Sequence, residues 1–383
     1  MRTYSIYGKK KKSKIWIIVL VVLAVVAVVV LANVVASLYY GGANGEKQVR
    51  VNENNIKHEL SFELDPGISY EHAVTDNALY FFSAENTKIS NSSGELEQDI
   101  SLPMSNPIVS SRGNFALLAD KGGKKAYLFN NSKKERDLTL DESIIIAAVN
   151  SGGNSIFVTK GEAHKCSVIV LSRSGEELFK WNSGGLYVVA ADISDNNKDI
   201  FVSTLNTDNG TLKSNIIMFN ITKEKPFANE VYDDMLFSSL LYSGNNLYCI
   251  SDTAVYIFNG YGKKIGEIDY GDRELLTFCA DGDLLVLAFS GNGVSANATV
   301  IESYSPKGNK LGEFTLSHGI DFLDCRNGTI AVSNNRTISI LNEACVEKFQ
   351  MSPGIDLRDF QFFGGSNAAV GITATGAVML NVG

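Results

Sequence analysis

Two patterns of apolar positions divide the chain. Residues 15–32 form an unbroken apolar run, polar only at the Trp16 indole, that resumes after Asn33 as Val34, Val35 and Ala36. As a helix rising about 1.5 Å per residue, residues 15–36 would extend roughly 33 Å, enough to cross the hydrocarbon core of a bilayer. From about residue 58 onward the pattern changes. Short stretches rich in Val, Ile, Phe and Tyr, such as residues 78–82, 200–203 and 284–289, are each ended by Gly, Asn, Asp or Ser. No long helical period intervenes, and the pattern predicts an all-β domain.

A repeat organises that domain. A hydrophobic or small residue is followed by Asn or Ser, usually with Gly or Lys three positions later. The polar member falls at Asn91, Asn130, Ser172, Asn220, Asn259, Ser305, Asn342 and Asn381. Eight units with a period near ~41 residues predict an eight-bladed β-propeller, with seven blades as the alternative count. A strand must stop and reverse at this position. Asn and Ser can hydrogen-bond their own backbone there, while Gly94, Gly175, Gly262 and Gly308 allow positive φ. Each blade then reads as an inner strand A, a tight turn, strand B, a variable loop, strand C, the repeat turn and an outer strand D. In the third unit these are residues 144–149, 156–158, 168–171 and 177–181. The last unit runs out of chain after its C strand, and residues 58–64 alternate as a strand with no other home. They are expected to supply the missing outer strand, closing the ring without an exposed edge.

Charge gives the topology. Arg2, Lys9, Lys10, Lys11, Lys12 and Lys14 precede the apolar run with no acidic residue among them, and the remainder of the chain carries an excess of 14 acidic side chains. The positive-inside rule reads residues 1–14 as a cytoplasmic tail, 15–36 as a single transmembrane signal-anchor helix, 37–57 as a linker and 58–383 as an extracytoplasmic propeller at the cell membrane. Val34, Val35 and Ala36 before Ser37 also suit a cleavage site, although the run is longer than the ~7–15 residues of a signal peptide. An acidic body repels phosphate backbones, which argues against nucleic acid as a partner.

The stretch Val168-Ile-Val-Leu-Ser-Arg-Ser-Gly-Glu-Glu-Leu-Phe-Lys-Trp181 resembles the repeat of the quinoprotein-like (PQQ-repeat-like) eight-bladed propellers, and residues 255–268 and 300–314 resemble it more loosely. Only Trp181 keeps the tryptophan such repeats carry. In architecture the chain looks like the uncharacterised membrane-anchored propellers of Gram-positive bacteria. The resemblance implies the fold. The quinoprotein dehydrogenases hold their cofactor under a vicinal cysteine pair, and no two cysteines are adjacent here.

Reactive chemistry is sparse. Cys166, Cys249, Cys279, Cys325 and Cys345 show no CxxC spacing and read as buried thiols. Cys279 and Cys325 precede the comparable turns Asp281-Gly282 and Asn327-Gly328 and are expected at equivalent inner positions. His58, His72, His164 and His318 are scattered over four units, without metal-ligand spacing. Asp233-Asp234 and Asp281-Gly-Asp283 suit turns better than an acid–base pair. Neither a catalytic set, a cofactor site nor a metal site is expected. The A-to-B turns are short. The B-to-C loops at residues 206–213 and 290–297, and D-to-A links such as 102–107 and 270–274, are longer and share the opposite face. Variable loops on a rigid scaffold are the usual place of recognition. Asp208, Asn209, Arg273, Asn292 and Ser295 are therefore the candidate interaction residues. The expected function is a non-enzymatic scaffold binding a protein or cell-envelope component. A small-ligand sensor using the channel and a propeller enzyme are the alternatives.

Overall fold

The computed structural model describes residues 56–291, 297–334 and 336–382. The expected tail, transmembrane helix and nearly all of the linker lie outside the described residues. Among those described, no helix is long and apolar enough to cross a membrane. The described chain is an eight-bladed β-propeller of eight four-stranded antiparallel sheets.

The inner strands, from blade 1 to blade 8, are Glu71–Val74, Pro107–Arg112, Ile144–Val149, Tyr187–Ile193, Phe237–Ser243, Leu275–Asp281, Phe322–Arg326 and Asp359–Phe362. Middle strands read as continuous apolar runs because neighbouring blades cover both of their faces. In Ala78–Phe82 every residue is buried. Outer strands such as Glu177–Asn182 instead alternate exposed and half-buried positions. The core is accordingly a ring of apolar layers, one at each of the eight blade interfaces. Trp181 belongs to this packing, with its ring 5.1 Å from Phe219 of the next blade.

The repeat turn behaves as its chemistry requires. Asn91 Oδ1 accepts the N–H groups of Ser93 and Glu95, and Asn259 and Asn342 repeat the arrangement. Gly94, Gly175, Gly262 and Gly308 all have positive φ, and in blade 7 Cys345 adopts it at 56°.

Closure uses the N-terminal end of the domain as expected, but the strand begins two residues earlier and ends five residues sooner than the 58–64 stretch. The outer strand of blade 8 is Ile56–Glu59, which pairs antiparallel with Ala377–Asn381, Ile56 opposite Leu380 and Glu59 opposite Val378. Beyond Glu59 the chain leaves the ladder. Ser61 N–H bonds to Gly94 O at 2.8 Å and Leu64 N–H to Thr375 O at 2.8 Å. Leu60, Phe62 and Leu64 all pack into the layer between blades 8 and 1. Their alternation therefore reports a shared core face along an irregular segment, which a period of two cannot distinguish from a strand.

A second correction concerns the B-to-C segment of blade 4. Residues 206–208 and 211–213 belong to two ten-residue strands, Asp199–Asp208 and Thr211–Asn220, paired up to Asp208 opposite Thr211. Only Asn209 and Gly210 form the turn, with φ of 52° and 85°. An Asn-Gly pair with both residues at positive φ matches the twist of its flanking strands, so the ladder extends to the tip.

Candidate functional site

The inner strands lack a ladder partner toward the channel, and side chains take over the lateral bonding. Asp192 in blade 4 accepts Ile193 N–H on one oxygen at 2.8 Å and Tyr242 N–H, from blade 5, on the other at 2.7 Å. Asp324 in blade 7 does the same with Cys325 N–H at 2.8 Å and Phe362 N–H, from blade 8, at 2.7 Å. Each carboxylate clasps two neighbouring inner strands.

Two arginines reach further around the ring. From the end of the blade 2 inner strand, Arg112 donates to Asp192 at 3.0 and 3.3 Å and to Ile193 O at 2.9 Å, passing blade 3. Arg326 of blade 7 likewise passes blade 8 to bond Asp76 of blade 1. Burial works against the Arg112 charge, but Asp192 and Asp195 outweigh it and raise its pKa. The Asp324 carboxyl is pushed up to about 6, chiefly by burial, against the pull of its two N–H donors.

These groups occupy the tight-turn mouth of the channel. A cavity of about 170 Å³ there is walled by Asp76, Arg112, Asp324, Arg326 and Gln361 among others. On the same stretch of channel wall His72 Nε2 lies 2.7 Å from Asp359 Oδ2, which also accepts from Gln361 at 3.0 Å. The adjoining turns are bonded blade to blade, as in Asn77 to Asn114 at 2.8 Å, Ser151 N–H to Asp195 at 2.9 Å and Asn246 to Asp283 at 3.0 Å. Asp281, weighed above as an acid–base candidate, accepts Asn327 N–H at 2.7 Å. Polar groups at this mouth are thus largely committed to one another.

The opposite mouth, where the inner strands begin, is built differently. In blades 3, 5 and 6 the first ladder pair, and in blade 4 the second, is followed by one extra residue on the inner strand: Ile145, Ser238, Leu276 and Val189 respectively. A β-bulge turns its extra residue out of the ladder and re-aims the side chains beside it. Here the bulges form an arc over four consecutive blades. Leu276 is 44% exposed and Tyr187, at the start of the blade 4 strand, 51% exposed. Ile145 and Val189 are half-buried, and Lys165 Nζ lies 4.8 Å from the Tyr187 ring centroid.

Three of the five candidate interaction residues are described, and all lie on this face without converging. Asp208 is exposed at the tip of the blade 4 hairpin, 3.4 Å from Lys213. Asn209 forms the turn itself. Arg273, on the link into blade 6, is held within the fold: its guanidinium bonds Glu302 at 2.9 Å, its Nε donates to Tyr270 O at 3.0 Å, and it lies 4.0 Å from the Phe289 ring centroid. Burial pushes the Glu302 carboxyl up, but bonds from Lys310, Tyr304 and Arg273 hold it below its usual range. Asn292 and Ser295 lie outside the described residues. Sequence reasoning missed the bulged arc and the Arg112–Asp192 and Arg326–Asp76 pairs. A usable signal was the lone charge in otherwise small or apolar inner strands, Asp192 after Val188-Val-Ala-Ala and Arg112 after Ile108-Val-Ser-Ser.

Among the described residues, no group of three or more His, Cys, Asp or Glu side chains is arranged to hold a metal ion. The fold is similar to that of several solved propellers. BamB from Moraxella catarrhalis superposes with a TM-score of 0.52 at 12% identity, covering 81% of this chain and 96% of that one. The C-terminal WD40 domain of Sif2 gives 0.54 at 13% identity, covering 86% and 96%. Apo AztD from Citrobacter koseri gives 0.51 at 8%, covering 74% and 86%. No curated protein matches the sequence. A family model described as a family of unknown function, DUF5711, matches residues 50–378.

Proposed function

The chain belongs to DUF5711, a family of unknown function, and we propose from its geometry that it is a non-enzymatic, membrane-anchored propeller that binds a protein partner on its bulged face. The observation that carries this reading is the bulged arc over blades 3 to 6, which presents Ile145, Val189 and Leu276 with Ser238 between the last two. Solvent-exposed Tyr187 and Leu276 stand at one channel mouth, while the polar groups of the other mouth are bonded mainly among themselves. Exposed aromatic and aliphatic side chains grouped on a rigid surface are the usual anchors of protein interfaces. Bulges in neighbouring blades have the same logic, since they spend ladder pairing to present side chains.

Anchoring rests on the basic residues before the apolar run and on that run's length. The closing strand starts at Ile56, opposite Leu380, on the tight-turn side. The same charge asymmetry puts the propeller on the extracytoplasmic side in this reading. The likeness to BamB and the Sif2 WD40 domain supports the fold on which this reading stands.

The test is binding to envelope proteins by the parent chain and by Tyr187→Glu/Leu276→Glu. The double variant should lose the parent's partner with its melting temperature unchanged. Tyr261→Glu, on a C-to-D turn at a residue 90% exposed, should retain it. The reverse pattern would move the interface to the other face. A polar small ligand at the tight-turn mouth is the second reading, favoured by the cavity between Arg326 and Asp324. It predicts a metabolite-induced rise in melting temperature that Arg326→Ala abolishes.

A further inference from the structure

Cys279 and Cys325 occupy inner strands of neighbouring blades, but not at equivalent positions. Asp281 pairs with Leu284 and Arg326 with Thr329 across two-residue turns, so Asp281 and Arg326 are the equivalent residues. Counting back, Cys279 matches Asp324 and Cys325 matches Ala280. Successive side chains of a strand point to opposite faces, and this one-residue offset turns the two thiols toward each other from either side of the blade 6–blade 7 interface. Both pack in the same apolar layer, with Val286, Ile330 and Leu341. There each thiol lies near enough to influence the titration of the other. Asn327 N–H bonded to Asp281 at 2.7 Å holds the strands together beside them. Cys325 is 4% exposed, whereas Cys279 is only partly buried.

We propose that Cys279 and Cys325 are a dithiol that closes into a disulfide between blades 6 and 7 when the protein meets a disulfide oxidant. The Cys279 thiol, the more accessible, loses its proton and attacks one sulfur of the oxidant R–S–S–R. A Cys279–S–S–R mixed disulfide forms, and the first RSH leaves carrying the proton. The Cys325 thiol then attacks Cys279 Sγ, the Cys279–S–R bond breaks, and the second RSH leaves with the second proton. Two protein thiols are oxidised and one disulfide is reduced to two thiols. Cys166 and Cys249 lie in middle strands of blades 3 and 5, and Cys345 in the outer turn of blade 7 beside Ser303, so none competes from the same position.

The test uses the full chain, purified under reductant, exposed to oxidised glutathione, then denatured, alkylated and weighed. Two of the five thiols should escape alkylation with the loss of two hydrogens, and a peptide should join residues 279 and 325. Cys279→Ala and Cys325→Ala should each abolish the link. A Cys166→Ala/Cys249→Ala/Cys345→Ala variant should still form it, and oxidation should raise the melting temperature of the parent, reversibly with reductant. Five alkylated thiols after oxidation, glutathione adducts that Cys325 never resolves, or a link to any other cysteine would overturn the proposal.

Discussion

Replacing Arg112 with Met removes the guanidinium while keeping an apolar stem of similar shape. Asp192, 4% exposed, keeps its bonds from Ile193 and Tyr242 N–H but loses its countercharge. Stripping one partner from a buried pair costs about 3–5 kcal/mol, and the two surviving N–H donors put this case at the lower end, about 3 kcal/mol. The entropy of unfolding is ~2.1 cal/mol/K per residue, so a domain of about 330 residues loses roughly 4 °C of melting temperature for that change. Arg112→Met/Asp192→Asn removes the stranded charge as well, and its loss should fall short of the summed single losses by about 1–2 kcal/mol. Differential scanning calorimetry of the four proteins measures the cycle. An Arg112→Met melting temperature within about a degree of the parent, or single losses that simply add, would refute the claim that this pair fastens blades 2 and 4 across the channel.

Asp324 makes stability depend on pH. Its folded pKa is raised from 3.8 to about 6, so the folded protein binds a proton more tightly than the unfolded chain. Stability therefore falls as pH rises from about 4 to about 6, and the cost is fully present above that, on the order of 2 kcal/mol after allowance for partial exposure. Asp324→Asn should flatten this slope in melting temperature between pH 4 and 7; parallel curves for parent and variant would exclude the assignment. Deleting residues 56–59 should uncover Ala377–Asn381 and increase proteolysis and aggregation, whereas deleting 41–50 should not, and equal resistance to protease would remove the case for closure by that strand. Gly308→Ala would place a methyl group 2.8 Å from Glu267 O at φ of 77°, with an expected loss of about 1–3 kcal/mol in denaturant unfolding.

The ring was legible because its signal is local. The C strands end at a small polar residue where the chain must reverse, and in five blades, at Asn91, Ser172, Asn220, Asn259 and Asn342, it bonds its own backbone a few residues on. The closing strand was legible from strand counting, but its bounds were not, since Leu60, Phe62 and Leu64 face one core layer while the ladder has already ended. The channel mouths were hidden for other reasons. A bulge adds a residue without disturbing an apolar run such as Val188-Val189-Ala190, so the sequence carries no mark of it. Arg112 and Asp192 are separated by 80 positions and meet only because the blades curve into a ring. The cysteine pair was misread by one residue, and in a strand one residue changes the face. Loop length was also a poor guide on the bulged face: the Asn206 to Lys213 segment proved to be ladder, and Arg273 is bonded into blade 6.

Photo-reactive residues placed singly at 187, 276 and 261 of the full chain, followed by irradiation of intact cells, test the central claim most directly. The account predicts protein adducts at 187 and 276, formed with the same partner, and none at 261. Adducts confined to 261, or their absence at both 187 and 276 in a correctly folded chain, would contradict it.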